Sequence, residues 1–368
     1  MAQKKLLIFM PSIEGGGVEK NFFIISNYLV TKKIDVDIIT AEKKFNHLFS
    51  KKINIISPKS DFWSTRKRYP KYFICLILLI KEHLKLKKFL TLSFQANMYC
   101  IIITKIFNQK IISRSNSSPS PSGWSKNFIK NFLFKILFKI TDKVIVNSKD
   151  FKKAIDKKFN IKSFCIYNPF NKLEVIKLSK KKTIKRIFKY NKSINIINVG
   201  RLVDQKDQMT LLKAINLLKK KIPMQVLIVG SGVERQNLKN YIKKNGLLKI
   251  VKITNFISNP YQYMKQAELF ILTSLYEGLP NVLLEAQGLK KFIISSNCPT
   301  GPREILLNGK AGFLFSIGNE IELSKKILDY YKNKKKLNKM INLGYKNIDR
   351  FDSKKNLLKY YNLINNYL

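Results

Sequence analysis

Along this chain, short solid apolar runs alternate with longer stretches whose apolar residues recur every three or four positions. The first rhythm predicts buried strands and the second predicts helices. In the first half the runs are Leu6–Met10, Val36–Thr40, Ile53–Ile56, Leu90–Phe94, Lys110–Ser113 and Lys143–Asn147. Helical spacing marks Val18–Val30, through Phe22, Phe23, Ile25 and Leu29, and the long stretch Lys71–Phe89. Tyr167-Asn168-Pro169 reads as a boundary, because proline forces its predecessor out of the helical region. Lys177–Asn191 beyond it is a charge run without periodicity. A second alternation then begins, with strands at Ile194–Val199, Gln225–Val229, Val251–Phe256, Leu269–Thr273 and Phe292–Ser295. Its helices are predicted at Gln208–Lys221, Val233–Asn245 and Pro260–Ala267, from Asn281, at Glu304–Leu307, and twice more before the end.

Strands alternating with helices imply parallel sheets covered on both faces. At 368 residues the chain is too long for one ordinary core and suits two domains. The expected fold class is therefore α/β, with two doubly wound Rossmann-like domains in tandem and a ligand cleft at the carboxyl ends of their strands. No repeat of solenoid period is present.

The charge of +47 raises the question of nucleic acid. Its distribution argues otherwise: the first 170 residues carry 32 of the 70 Lys/Arg and 10 of the 23 Asp/Glu, so the excess is even. A nucleic-acid site concentrates charge on one face. An even lysine excess beside abundant Ile and Asn reads as composition bias, although the field still attracts diphosphates and anionic head groups. Four scattered cysteines, Cys75, Cys100, Cys165 and Cys298, have no metal-ligand spacing and read as buried thiols. The longest apolar run, Tyr72–Ile80, is short of the ~20 residues that span a bilayer. Met1–Lys5 leads straight into a strand rather than a signal-peptide core, so the expected location is cytoplasmic.

Five segments are candidates for chemistry. Gly15-Gly16-Gly17-Val18-Glu19 joins a strand to a helix, where missing Cβ atoms let backbone approach an anion at a helix N-terminus. The dinucleotide GxGxxG spacing is absent, and a tight turn remains the alternative. Arg201 and Lys206 follow Ile194–Val199, giving a guanidinium fork and a movable ammonium suited to a diphosphate. Gly230-Ser231-Gly232 repeats the strand–glycine–helix arrangement, as any doubly wound fold would. In Thr273–Ala286, Glu277 and Glu285 stand eight apart, a little over two helical turns, so both can face one cleft. Pro280 suits the first turn of that helix, with Gly278 and Leu279 at its open N-terminus. Glu285, among apolar neighbours, needs hydrogen-bond donors. Spacing alone leaves open a helix with two solvated glutamates. Likewise, Ser296–Glu304 can be read as a rigid surface turn.

Together these segments resemble the family-4, or group 1, glycosyltransferases of the GT-B fold, most strongly over residues 195–316. Cys298-Pro299-Thr300-Gly301-Pro302-Arg303-Glu304 is similar to a subgroup acting on bacterial surface polysaccharides, including N-acetylgalactosamine transferases that extend lipid-linked oligosaccharides. The resemblance implies an acceptor-binding domain at 1–169, with a C-terminal helix at about 350–368 packing back on it, and a nucleotide-sugar-binding domain at 170–349. It implies Arg201 and Lys206 on the donor diphosphate, Glu285 on the ribose hydroxyls and Glu277 on the transferred sugar, with Glu277, Arg201 and Lys206 the catalytic set. Gly278, Leu279, Asn281 and Val282 would surround the phosphates and sugar, Gly16 and Gly17 would close on the diphosphate from the other domain, and Gly230 would complete the site. Phe256 and Ile257 fall where relatives hold the base. Such enzymes retain anomeric configuration and use no metal or other cofactor. Asp35-Val36-Asp37 has the letters of a metal motif, but it lies on a strand whose period sends both side chains to one face.

Relatives often carry a first-domain histidine near the sugar, whereas this chain has only His47 and His83, neither at a suitable strand end. Ile112–Ser117 occupies the corresponding region, making Arg114 or Asn116 candidates for sugar or acceptor contact. Lys126–Lys139 interleaves aromatics with lysines and reads either as a helix lying on an anionic membrane or as a buried helix with a lysine rim. The leading expectation is a cytoplasmic enzyme, peripheral on the inner membrane face. It would move a hexose or N-acetylhexosamine from a nucleotide diphosphate sugar, a UDP-sugar by resemblance, to a polyprenyl- or lipid-linked surface glycan, without specific nucleic-acid binding. The alternatives are a soluble transferase acting on a small sugar phosphate or protein, and a non-catalytic nucleotide-sugar or nucleic-acid binder.

Overall fold

A computed structural model describes residues 5–14, 16–85, 88–116, 128–181, 187–188 and 192–368. Met1–Lys4, Gly15, Ser117, Lys126 and Asn127, and residues 182–186 and 189–191 of the charge run, lie outside the described residues. The chain divides into two compact units, Met1–Pro169 with Ser353–Leu368, and Phe170–Asp352.

Unit 1 begins β1 (Lys5–Phe9), α1 (Gly17–Thr31), β2 (Asp35–Ile39), β3 (Asn54–Ile56), α2 (Arg68–Lys85) and β4 (Leu90–Ser93). It continues α3 (Asn97–Ile106), β5 (Lys110–Arg114), α4 (Phe128–Ile140), β6 (Lys143–Val146), α5 (Lys149–Phe159) and β7 (Phe164–Cys165). The strands form a sheet in the order β3-β2-β1-β4-β5-β6-β7, and every pairing is parallel. The solid apolar runs reflect burial on both faces. Leu6 and Ile8 of β1 join one core layer with Phe22, Ile25 and Leu29 of α1. Leu7 and Phe9 point into the other, against residues of α2, α3, α4 and α5.

Two of these helices, α3 and α5, fall where the spacing predicts none. In α3 a β-branched run, Ile101-Ile102-Ile103-Thr104, masks the helical period. The period of α5 rests on only three apolar residues, Phe151, Ile155 and Phe159, with a Ser148 cap accepting from Phe151 N at 3.1 Å.

Unit 2 opens with α6 (Lys172–Ser179), which takes in the start of the stretch read as an aperiodic charge run. Next come β8 (Ile194–Val199), α7 (Gln208–Leu218), β9 (Met224–Val229), α8 (Arg235–Lys244), β10 (Val251–Thr254) and α9 (Tyr261–Gln266). Then follow β11 (Leu269–Leu272), α10 (Asn281–Gly288), β12 (Phe292–Ser296), α11 (Pro302–Ile305), β13 (Phe313–Phe315) and the long α12 (Glu320–Asn347). The sheet order is β10-β9-β8-β11-β12-β13, again parallel. The chain closes with α13 (Ser353–Asn365), whose Leu357, Tyr360 and Ile364 enter the unit 1 core beside Leu6 and Ile8.

Both sheets are doubly wound. In unit 2 the winding reverses between β8 and β11, and in unit 1 between β1 and β4. A doubly wound sheet opens a crevice at the carboxyl ends of such strands, because the loops there diverge to opposite faces.

Candidate functional site

The loops after β8 and β11 flank the reversal in unit 2, and the backbone stitches them together. Leu275 N donates to Gln205 O at 2.9 Å, Gln205 Nε2 to Tyr276 O at 2.9 Å, and Thr273 Oγ1 to Lys206 O at 2.9 Å. Below them Asn198 Nδ2 donates to Ile271 O at 2.9 Å, tying the strand ends. Lys206 is thus held at a fixed place on its loop, while Arg201 stands exposed near its start.

Lys206 Nζ lies 2.5 Å from Glu277 Oε1. Ser274 Oγ donates to the same oxygen at 2.7 Å, so two donors converge on one carboxylate atom. The side chains are 17% and 9% exposed, and burial on this scale strengthens an ion pair relative to a surface one. The two-turn spacing of Glu277 and Glu285 is not that of one helix. α10 starts at Asn281 behind an N-capping Pro280, which leaves Glu277 in the preceding loop. Pro280 is extended, so the helix begins after it and only Glu285 lies on it.

The loop after β12 buttresses this arrangement. Thr300 Oγ1 donates to Glu277 O at 2.6 Å, and Ser296 Oγ to Ser274 O at 2.6 Å. Gly301 adopts φ +89, and a Cβ there would sit 2.3 Å from Gly278 O. Only glycine fits that approach. The segment read as a rigid surface turn is therefore a support for the Glu277–Gly278 backbone. Within it Cys298 is buried, and desolvation, aided by the Glu277 charge, pushes its thiol up to about 12, so it is not a nucleophile.

Glu285 is buried in α10, and Tyr261 of α9 donates its hydroxyl to Oε1 at 2.9 Å. Gly278 and Leu279 are buried, while Asn281 and Val282 in the first turn of α10 are half-buried. Gly230 proves more than a generic turn: a Cβ there would meet Gly200 O at 1.9 Å, so the loops after β8 and β9 can cross only with glycine between them. Ile257 is half-buried; Phe256 is exposed and donates its backbone N–H to Ser231 Oγ at 3.0 Å. Tyr261, Ser274, Ser296, Thr300 and Gly301 escaped the sequence reading. Ser274, Thr300 and Gly301 sit within motifs already singled out, but Tyr261 carries no sequence signal at all.

In unit 1, Gly16 precedes α1, and a Cβ there would come within 2.8 Å of Glu19 Oε2, while Gly17 is exposed. Arg114 does not face solvent. It is 0% exposed, with Nε donating to Tyr360 Oη at 2.8 Å and Nη2 to Asn168 Oδ1 at 2.8 Å. The expectation of a sugar contact gives way to a structural role, because β5 ends under α13 and Nε and Nη2 are engaged there. Asn116 is half-buried, and its Nδ2 donates to Phe94 O at 2.8 Å. Lys5 Nζ lies 2.8 Å from Asp37 and 4.0 Å from Asp35, so both carboxylates of that strand face a lysine. His47 sits in a short exposed turn, and His83 is buried on α2.

Comparison with known proteins places this geometry in a lineage. Residues 179–347 match the model of the family described as glycosyl transferases group 1. An uncharacterized glycosyltransferase of Haemophilus influenzae is 30% identical over 330 residues, which span 88% of this chain and 89% of that protein. The N-acetylgalactosamine-N,N'-diacetylbacillosaminyl-diphospho-undecaprenol 4-alpha-N-acetylgalactosaminyltransferase of Campylobacter jejuni is 25% identical over 252 residues, 65% of this chain and 68% of that protein. The fold is similar to that of Anabaena HepE, solved in complex with UDP and glucose, at a TM-score of 0.78 and 17% identity over 98% of this chain and 99% of that one. The two parallel-sheet units are thus Rossmann-like domains of the GT-B type, and the chain belongs to the group 1 glycosyltransferases.

Proposed function

We propose that the protein transfers a hexose or N-acetylhexosamine from a nucleotide diphosphate sugar, a UDP-sugar, to a growing lipid-linked surface glycan, with retention and without a metal. The observation that carries the donor half is the Lys206–Glu277 pair, locked at the winding reversal of unit 2, with Arg201 exposed on the same loop as Lys206. In this reading Arg201 and Lys206 bind the diphosphate and neutralise the charge that builds on it as it leaves. Backbone around Gly278–Val282 approaches the phosphates at the head of α10. Glu285 receives the ribose hydroxyls beside the Tyr261 hydroxyl, and Phe256 and Ile257 flank the base. Glu277, with Lys206 and Ser274 both on Oε1, offers its other oxygen to hydroxyls of the transferred sugar. Gly16 and Gly17 give unit 1 a second turn that an anion can approach.

The bond from the anomeric carbon to the diphosphate oxygen breaks while the acceptor hydroxyl oxygen bonds to that carbon on the same face. The hydroxyl proton passes to the departing phosphate oxygen, and the products are a glycoside and a nucleoside diphosphate. Support for the acceptor class comes from relatives. The Campylobacter transferase is named for an undecaprenol diphosphate substrate, and an O-antigen biosynthesis glycosyltransferase of Escherichia coli is 30% identical over 181 residues. UDP in the HepE structure supports the choice of base.

A hydrolysis screen across nucleotide sugars, read as released nucleoside diphosphate, tests the donor half without knowledge of the acceptor. Turnover of a UDP-sugar that survives EDTA and falls in Glu277→Ala is the expected result. No turnover of any nucleotide sugar, or full activity in Glu277→Ala, overturns the reading.

A further inference from the structure

We propose that the outer face of α2, α3 and α4 in unit 1 is a docking surface for an anionic lipid bilayer. This rests on the lipid-linked acceptor only for its purpose; its geometry stands apart from the donor site.

The three helices lie side by side, with α3 touching both neighbours. All three bury their inner residues in the same core layer: Cys75 and Leu79 from α2, Cys100 and Ile101 from α3, Leu137 and Phe138 from α4. Their outer faces therefore share one side of the sheet. In a water-soluble domain these outer positions would be polar, but here each carries an apolar stripe. On α2, Tyr69, Phe73, Ile80 and Leu84 are exposed at helical spacing. On α3 the exposed positions are Tyr99, Ile102 and Ile106, and on α4 they are Ile129, Phe132, Leu133, Ile136 and Ile140. Leu84 and Ile106 are 72% and 74% exposed, so this is not partial burial at a groove edge. Scattered apolar side chains on a surface need no explanation, but contiguous stripes on three adjacent helices mark an interaction face.

Charge selects the occupant. Lys81, Lys85, Lys135 and Lys139 stand exposed around the stripes. Across the three helices Glu82 is the one acidic residue, and it is buried and paired with Lys85 at 3.0 Å. Apolar side chains ringed by lysine suit the boundary between anionic head groups and acyl chains, where each lysine near the surface adds attraction and each apolar residue adds burial. A second copy fits worse, because it brings the same basic rim and the same +47 net charge. Among the described residues no helix is long and apolar enough to cross a membrane, so the face lies on the bilayer rather than through it.

The test is co-sedimentation of the full chain with vesicles of phosphatidylglycerol and phosphatidylcholine, or of phosphatidylcholine alone, with no donor or acceptor present. Wild type should bind the anionic vesicles at least tenfold more tightly than the neutral ones. Phe73→Ser/Ile106→Ser/Phe132→Ser should bind them at least tenfold more weakly while keeping its thermal midpoint and its donor hydrolysis. Lys135→Gln/Lys139→Gln keeps the stripes intact and should lose much of the preference for anionic lipid. Equal partition of the triple variant and wild type, or no binding to anionic vesicles, overturns the assignment. A dimer that the triple variant dissolves also overturns it and gives the face to a second copy. Vesicle binding without hydrolysis of any nucleotide sugar would sink the functional reading and leave this surface standing.

Discussion

The carboxyl edges of the two sheets are built from similar residues and end in different states. In unit 2, Thr273, Ser274, Ser296 and Thr300 each donate a hydroxyl to a neighbouring loop or to Glu277. Every such bond contributes about 1 kcal/mol net, and together they fix the loops before any ligand arrives. In unit 1 the corresponding edge buries Arg114 Nη1, Asn97 Oδ1, Asn116 Oδ1 and Asn147 Oδ1 with no hydrogen-bond partner among the described residues. The edge of unit 2 is thus preorganised by its own hydroxyls, which supports placing the donor chemistry there. Preorganised dipoles stabilise developing charge because they need no reorganisation at the moment of reaction.

The sharpest way to break that contrast is to cut the pair at its centre. Glu277→Ala and Lys206→Ala should each lower turnover roughly 100- to 1,000-fold, the range found for losing one preorganised electrostatic group. Because the two are bonded to each other through Oε1, the double variant should be about as slow as the worse single one. Steady-state rates of nucleoside diphosphate release measure this, and multiplicative losses would show that the pair does not act as a unit.

Periodicity exposes the sheets of this molecule well and its site poorly. The bounds of β8 coincide with the predicted strand Ile194–Val199, because its four aliphatic residues mark it despite Asn195 and Asn198. Arg201, Lys206 and Glu277 were legible as residue types after strand ends, but the meeting of Lys206 with Glu277 was not, since 71 positions separate them. Glycines were misjudged in the same way. Gly230 looks generic until its distance to Gly200 O is known, and that distance depends on two loops crossing. Arg114 misled for the opposite reason: an arginine at a strand end suggests a ligand, and only the return of α13 shows that Tyr360 already holds it.

Gly230→Ala probes the crossing. With backbone oxygen 1.9 Å from the added Cβ, no side chain can yield, so the loops must separate. The expected cost is about 2–3 kcal/mol, measured by urea unfolding, together with weaker UDP binding by calorimetry. Gly246→Ala is the control: it has open space but φ +65, and should cost about 1 kcal/mol with binding unchanged. Equal effects of the two would mean that the crossing is not a constraint.

Thr300→Val tests the buttress more gently. It removes the hydroxyl from Glu277 O at nearly constant volume, and the loss should be roughly tenfold in kcat, about 1.4 kcal/mol. Thr300→Ser restores the donor and should restore most of the rate. If Thr300→Ser is as slow as Thr300→Val, the methyl rather than the hydroxyl matters, and the support is packing alone.

The smallest effect is expected in unit 1, at a buried group with no part in the chemistry proposed here. His83 stacks between Phe89 at 4.7 Å and Phe107 at 5.0 Å, and neither ring nitrogen has a hydrogen-bond partner among the described residues. Burial pushes its pKa down from 6.5 to about 4. Between those values the unfolded chain takes up a proton that the folded chain refuses, so stability falls as pH drops from 6.5 toward 4 and is unaffected by this group above 6.5. After allowance for solvent screening, the loss at pH 5 should be about 1 kcal/mol. His83→Leu removes the titration, so its urea midpoint should decline less between pH 7.5 and pH 5 than that of wild type, while carboxylates common to both proteins cancel in the difference. An identical decline in the two would mean that His83 titrates normally in the folded state, and that α2 opens at that end.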